Sequence, residues 1–136
     1  MERALRKLRR AMVRPDRDRL SGLIEVDEIL IGGKRPTLEG RSPAGKTLVL
    51  AAVEDKHENG IGRIRLLVIP DAAADMIEKN LARIIEPESM VRTDGWRGYQ
   101  RLSSLGYRHI VVKRHEIDHG FDTTPLVHRV SALLKR

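Results

Sequence analysis

The chain has 136 residues, room for one hydrophobic core of ordinary domain size and not for two. With 40% hydrophobic and 33% charged residues it is no disordered chain, and the lack of cysteine excludes disulfides, thiol catalysis and thiolate zinc sites, leaving carboxylates and histidines as metal ligands. Twenty-six Lys and Arg against 19 Asp and Glu give +7, which favours a polyanionic partner; no apolar run approaches a membrane span and no signal-peptide pattern opens the chain, so a cytoplasmic protein without a membrane partner is expected.

Most of that charge lies at the start. Residues 1–19 hold eight basic and three acidic side chains, whereas the other 117 residues hold 18 and 16. Met1, Leu5, Leu8 and Met12 recur at helical spacing among arginines, which predicts a basic amphipathic helix ending near Pro15. Such a helix either packs one face on the domain or meets DNA through Arg6, Lys7, Arg9 and Arg10. Aromatic residues make up 3%, which argues against a base-stacking platform for single strands and assigns nucleic-acid affinity to backbone electrostatics.

Leu23 to Ile31 (LIEVDEILI) reads as a strand followed by a Gly32-Gly33 turn. Lys46 to Val53 and Arg63 to Ile69 read as two more strands, joined across Asn59-Gly60 and preceded by a Pro/Gly/Ser-rich loop at 36–45. Asp71 is expected to cap a helix over Ala72 to Ile85, with Ala73, Met76, Ile77, Leu81 and Ile84 as its apolar stripe. Ser89 to Thr93 forms a short strand ending at Asp94-Gly95, Tyr99 to Leu105 a short helix, and His109 to Lys113 a fifth strand. After a polar loop at 114–124, Thr124 and Pro125 open a final helix as cap and first-turn residue. The order β-β-β-α-β-α-β-α suits an α/β fold, a five-stranded mixed sheet with helices on its faces, in which strands one, four and five are parallel neighbours.

Asp27 lies mid-strand, where a carboxylate facing helices needs a partner or a cation. Asp94 sits at the carboxyl edge of strand four, where open α/β sheets place ligands. If the two strands are neighbours the carboxylates converge, and a pair of hard oxygen ligands suits Mg²⁺ or Mn²⁺ in a two-metal phosphoryl-transfer site. The alternative is an Asp27 paired with a buried arginine and an Asp94 that only begins a turn. His115, Asp118 and His119 suggest a solvated loop more than a metal cluster, and Trp96 and Tyr99 suggest local packing more than base stacking.

VDEILIGGK (Val26 to Lys34), RTDGWRGYQRLSSLGYRHIVV (Arg92 to Val112) and LVHRVSALLKR (Leu126 to Arg136) resemble the catalytic domain of DDE-type bacterial insertion-sequence transposases, most closely the insertion-sequence-1595 group. The resemblance implies an RNase-H-like fold, catalytic aspartates at Asp27 and Asp94, and a third ligand on the last helix. Members carry Glu or Asn at that third position, where this chain has His128, and the lysine seven residues on is Lys135. Two helical turns separate them, so His128 can reach a metal while Lys135 holds a phosphate on the same face. An imidazole ligand suits Mn²⁺ better than Mg²⁺, and Glu25, on the strand face of Asp27, is the substitute for His128.

The resemblance also implies a basic N-terminal helix at 1–19 and a catalytic domain at 20–136, shortened at its C-terminus relative to longer members that also carry a zinc ribbon or helix-turn-helix in front. The expected activity is metal-dependent cleavage at transposon ends followed by strand transfer into target DNA, with double-stranded DNA as partner and a homodimer as one assembly. The alternatives are a truncated, catalytically silent DNA-binding fragment, or an RNase-H-like nuclease without strand transfer.

Overall fold

The computed structural model describes residue 6, residues 18–32, 46–113 and 123–135. The loop at 36–45, most of the polar loop with His115, Asp118 and His119, and all of the N-terminal helix except Arg6, which is helical and exposed, lie outside the described residues.

Five strands form one sheet: β1 (Leu23–Gly32), β2 (Lys46–Asp55), β3 (Ile61–Val68), β4 (Met90–Thr93) and β5 (Arg108–Val111), in the order β3-β2-β1-β4-β5. β1, β2 and β3 are an antiparallel meander, while β4 joins β1 and β5 joins β4 in parallel. This is the five-stranded mixed sheet of an RNase-H-like fold, with parallel neighbours where the strand order predicted them.

Period-2 alternation sorts the side chains onto two faces. Ile24, Val26, Leu50, Ala52 and Val91 face helix α1 (Ala74–Ile84), and bury its Ile77, Leu81 and Ile84 together with Tyr99, Leu102 and Tyr107. Ile29, Ile31, Val49, Ala51, Val53 and Leu66 face helix α2 (Pro125–Leu134) and its Val127, Val130 and Leu134. Val49 to Val53 is buried at every residue because β2 is covered on both faces, which is why its sequence is a continuous apolar run.

Three local expectations are corrected. α1 begins at Ala74, because the Asp71 carboxylate accepts from the Ala73 N–H at 2.9 Å and so closes a turn ahead of the helix, leaving Ala73 as an N-cap without a side-chain bond. The helix expected over Tyr99 to Leu105 is two 3₁₀ turns, Arg97–Tyr99 and Ser103–Leu105, the second ended by Gly106 at φ 99°. Gly98 explains the tight first turn: a Cβ there would stand 2.5 Å from Ile77 Cδ1 and 2.9 Å from the Ala72 carbonyl, so only glycine lets the segment lie against α1. The third correction concerns the start of α2 and belongs to the site.

Candidate active site

β1 alternates carboxylates with apolar residues. Glu25 and Asp27 point to the α2 side, and Glu28 to the α1 side. Across the sheet Asp27 is paired with Ala51 and Glu25 with Val53, so the smaller neighbour lies beside the aspartate.

On its other side β1 runs parallel to β4 with Glu25 opposite Arg92, and the Arg92 guanidinium donates to Glu25 at 2.7 Å. Asp27 lies two residues beyond Glu25 on β1, and Asp94 two residues beyond Arg92, the first residue after β4. The turn that carries Asp94 is held from within. Thr93 Oγ1 accepts from the Gly95 N–H at 3.1 Å and lies 2.7 Å from His109 Nε2, an imidazole that burial holds below its ordinary pKa. Asp94 Oδ1 accepts from the Trp96 N–H at 2.9 Å. Gly95, at φ 83°, takes the left-handed conformation that the turn demands, and a Cβ there would meet Val111 Cγ1 at 2.7 Å.

Asp27 is buried and its two oxygens differ in their company. Oδ1 accepts from the Glu28 N–H at 2.8 Å; Oδ2 accepts from the Thr124 hydroxyl at 2.6 Å and stands 3.4 Å from His128 Nε2. Thr124 is the N-cap of α2, but its hydroxyl is spent on Asp27 and makes no cap bond to the helix backbone. The cap comes from the sheet. Glu25 Oε1 accepts from the Val127 N–H at 2.8 Å while Glu25 Oε2 takes the Arg92 guanidinium, which also reaches Asp55 at 3.0 Å. Glu25 is fully buried, and with both oxygens committed it is a structural anchor; it does not stand ready as a substitute ligand for His128.

Glu28 shows the charge state of this edge. Burial and the neighbouring Asp27 push its carboxyl up to about 7, against the opposing bond donated by the Tyr99 hydroxyl. Tyr99 is itself pushed far above its ordinary pKa, first by burial and then by the negative charge of Glu28, Asp27 and Asp94. Three carboxylates therefore act on one buried hydroxyl. Neither Tyr99 nor Glu28 was a sequence-based candidate; the signal available was three carboxylates within one otherwise apolar strand.

The donor set fits a divalent cation in its chemistry: the carboxylates of Asp27 on β1 and Asp94 just beyond the neighbouring β4, with an imidazole 3.4 Å from Asp27. It is not a closed cage. Among the described residues no three Asp, Glu or His side chains already come together as metal ligands. His128 is half exposed, and Lys135 lies at the exposed C-terminal end of α2. Of the basic residues named for DNA contact, Lys7, Arg9 and Arg10 lie outside the described residues.

The model of the ISXO2-like transposase domain matches residues 19–136, and thus every element of the sheet and both helices. The chain belongs to this transposase family. A search of curated proteins finds no match, and neither does a search of solved structures. Membership gives the domain a transposase role and implies DNA as its partner, in a family that generally uses divalent metal ions. Among the described residues no helix is long and apolar enough to cross a membrane.

Proposed function

We propose that this transposase domain cleaves a phosphodiester at an insertion-sequence end and joins the freed 3′-hydroxyl to target DNA, with Asp27 and Asp94 as the paired metal-binding carboxylates. The observation that supports the reading is the parallel β1–β4 pairing, in which Glu25 stands opposite Arg92, each two residues before one of the aspartates. A bound divalent ion supplies Lewis-acid stabilisation of the charge that develops on the phosphate oxygens. Asp27 and Asp94 would hold Mg²⁺ or Mn²⁺, and His128 would complete the set after breaking away from Asp27 Oδ2, an imidazole contribution that favours Mn²⁺. Lys135, two turns beyond His128, would hold a phosphate. The Thr124 hydroxyl orients Asp27, and Glu25 fixes the helix that carries His128 and Lys135.

The test is nicking of supercoiled plasmid and joining of labelled insertion-sequence ends in Mn²⁺ and in Mg²⁺. Asp27→Ala and Asp94→Ala are each expected to abolish both reactions, and His128→Ala to weaken them most in Mn²⁺. Nicking that survives either aspartate substitution removes the assignment. Nicking without joining points to a nuclease that lacks strand transfer.

A further inference from the structure

The chain has one tryptophan, two residues beyond Asp94, and the structure separates it from its aromatic neighbours. Tyr99 and Tyr107 are buried, whereas Trp96 keeps 43% of its surface exposed. The ring is nevertheless fastened. Its Nε1–H donates to the Ala72 carbonyl at 3.2 Å, its backbone N–H donates to Asp94 Oδ1 at 2.9 Å, and Gly98 lies so close beneath that a Cβ there would meet Trp96 Cδ1 at 3.1 Å. The Arg97 guanidinium stands over the ring, 5.5 Å from its centroid.

We propose that Trp96 and Arg97 form a binding site for one unpaired nucleotide at the DNA end, the indole stacking on the base and the guanidinium holding its phosphate. The proposal rests on the transposase reading of Asp27 and Asp94 and adds the nucleotide beside the scissile bond. Three features of the molecule argue for it. A rigid, half-exposed aromatic plane offers contact area with little entropy left to lose on binding. The edge it borders is acidic through Asp94, whose carboxylate accepts from the Trp96 N–H, so a phosphate approaching it needs a cation on the rim, and Arg97 stands there. Packing alone does not account for the ring, since the two tyrosines of the same chain are buried and this larger side chain is left facing outward at the site. The low aromatic content rules out an extended stacking platform, but a single plane requires one side chain only.

Because Trp96 is the sole tryptophan, intrinsic emission reports on this position alone. The full chain is titrated in EDTA with a blunt duplex and with the same duplex bearing a single-stranded overhang; anisotropy of a label on the DNA follows binding and tryptophan emission follows the ring. The overhang is expected to bind about 5- to 150-fold more tightly than the blunt duplex, the range for stacking one base, and to quench Trp96 more strongly. Trp96→Ala removes that preference, Trp96→Phe retains part of it and controls for folding, and Arg97→Ala weakens the overhang duplex more than the blunt one and makes the overhang's salt slope shallower by about 0.7. Overhang and blunt duplex binding equally, a preference that survives Trp96→Ala, or unchanged emission while anisotropy shows binding would each overturn the site and leave the aspartate assignment standing. No binding of either duplex would overturn the DNA reading beneath it as well.

Discussion

Glu28 and Glu54 are buried or half-buried carboxylates of one sheet, and the difference between them separates structural from functional charge. Burial alone would raise Glu54, but the Arg63 side chain and backbone N–H and the Ser21 N–H all donate to it, and they bring it down to about 2. Glu28 is raised by burial and by Asp27 against a weaker set of donors, chiefly the Tyr99 hydroxyl, and reaches about 7. A folded-state pKa above the ordinary value near 4.5 means that the folded protein binds this proton more tightly than the unfolded chain. The stability that Glu28 contributes is thus complete below about pH 4.5, declines as pH rises, and is gone above about pH 7. Urea unfolding across that interval should show a decline for the wild type that Glu28→Gln removes. An identical decline in the variant would show that other groups set the pH dependence.

At the scale of the element, α2 is too short to stand alone: ten residues are marginal in water without tertiary contacts. Its apolar stripe supplies part of the docking, and two carboxylates of β1 supply its entry point, Asp27 through Thr124 and Glu25 through the Val127 N–H. Thr124→Val keeps the shape and deletes a hydrogen bond to a charged acceptor, an expected loss of about 1.5–3 kcal/mol in unfolding free energy that Thr124→Ser restores. Glu25→Ala leaves a half-buried Arg92 with Asp55 alone and an uncapped helix and should cost about 1.5–3 kcal/mol, whereas Glu25→Gln keeps an acceptor for Val127 and should cost less. Equal losses for Gln and Ala would show that the ion pair matters and the cap does not. Strand and helix positions were legible because their periodicities are local, as in the unbroken apolar run of β2. The cap of α2 was not, because the side chain that supplies it lies 102 residues upstream and Thr124 reads as an ordinary N-cap. The turns at Arg97–Tyr99 and Ser103–Leu105 were misread as one helix, since the close approach of Gly98 to α1 is a tertiary fact. The parallel pairing of β1 with β4 was legible in the element order, whereas the roles of Asp27 and Asp94 came only with the family resemblance.

Over the whole molecule, the sheet order sets the acidic edge apart from the point where the chain enters the sheet. The acidic edge gathers toward the carboxyl ends of β1 and β4, while the chain enters at their amino ends, where Leu20 bridges to Ile85 and Arg65 and Arg63 hold the carbonyls of Asp18 and Arg19 at 2.7 and 3.1 Å. Asp18 and Arg19 are thus held at a defined point, and the five strand residues Leu23 to Asp27 lead from that end of the sheet to the candidate site. Under the proposed function, a duplex that meets both would draw its general affinity from the N-terminal cations and its chemistry from the acidic edge. Each phosphate neutralised contributes about −0.9 to the slope of log K against log salt. Replacing Arg6, Lys7, Arg9 and Arg10 by alanine should make that slope shallower by up to about 3.6 and weaken blunt duplexes of every sequence alike, while the overhang preference carried by Trp96 persists. The measurement is labelled-duplex anisotropy over a salt series for the wild type and the fourfold variant. A slope unchanged by the fourfold substitution would exclude the segment as a DNA contact and shift the electrostatic affinity onto the cations of the folded domain, Arg97 first among those beside the acidic edge.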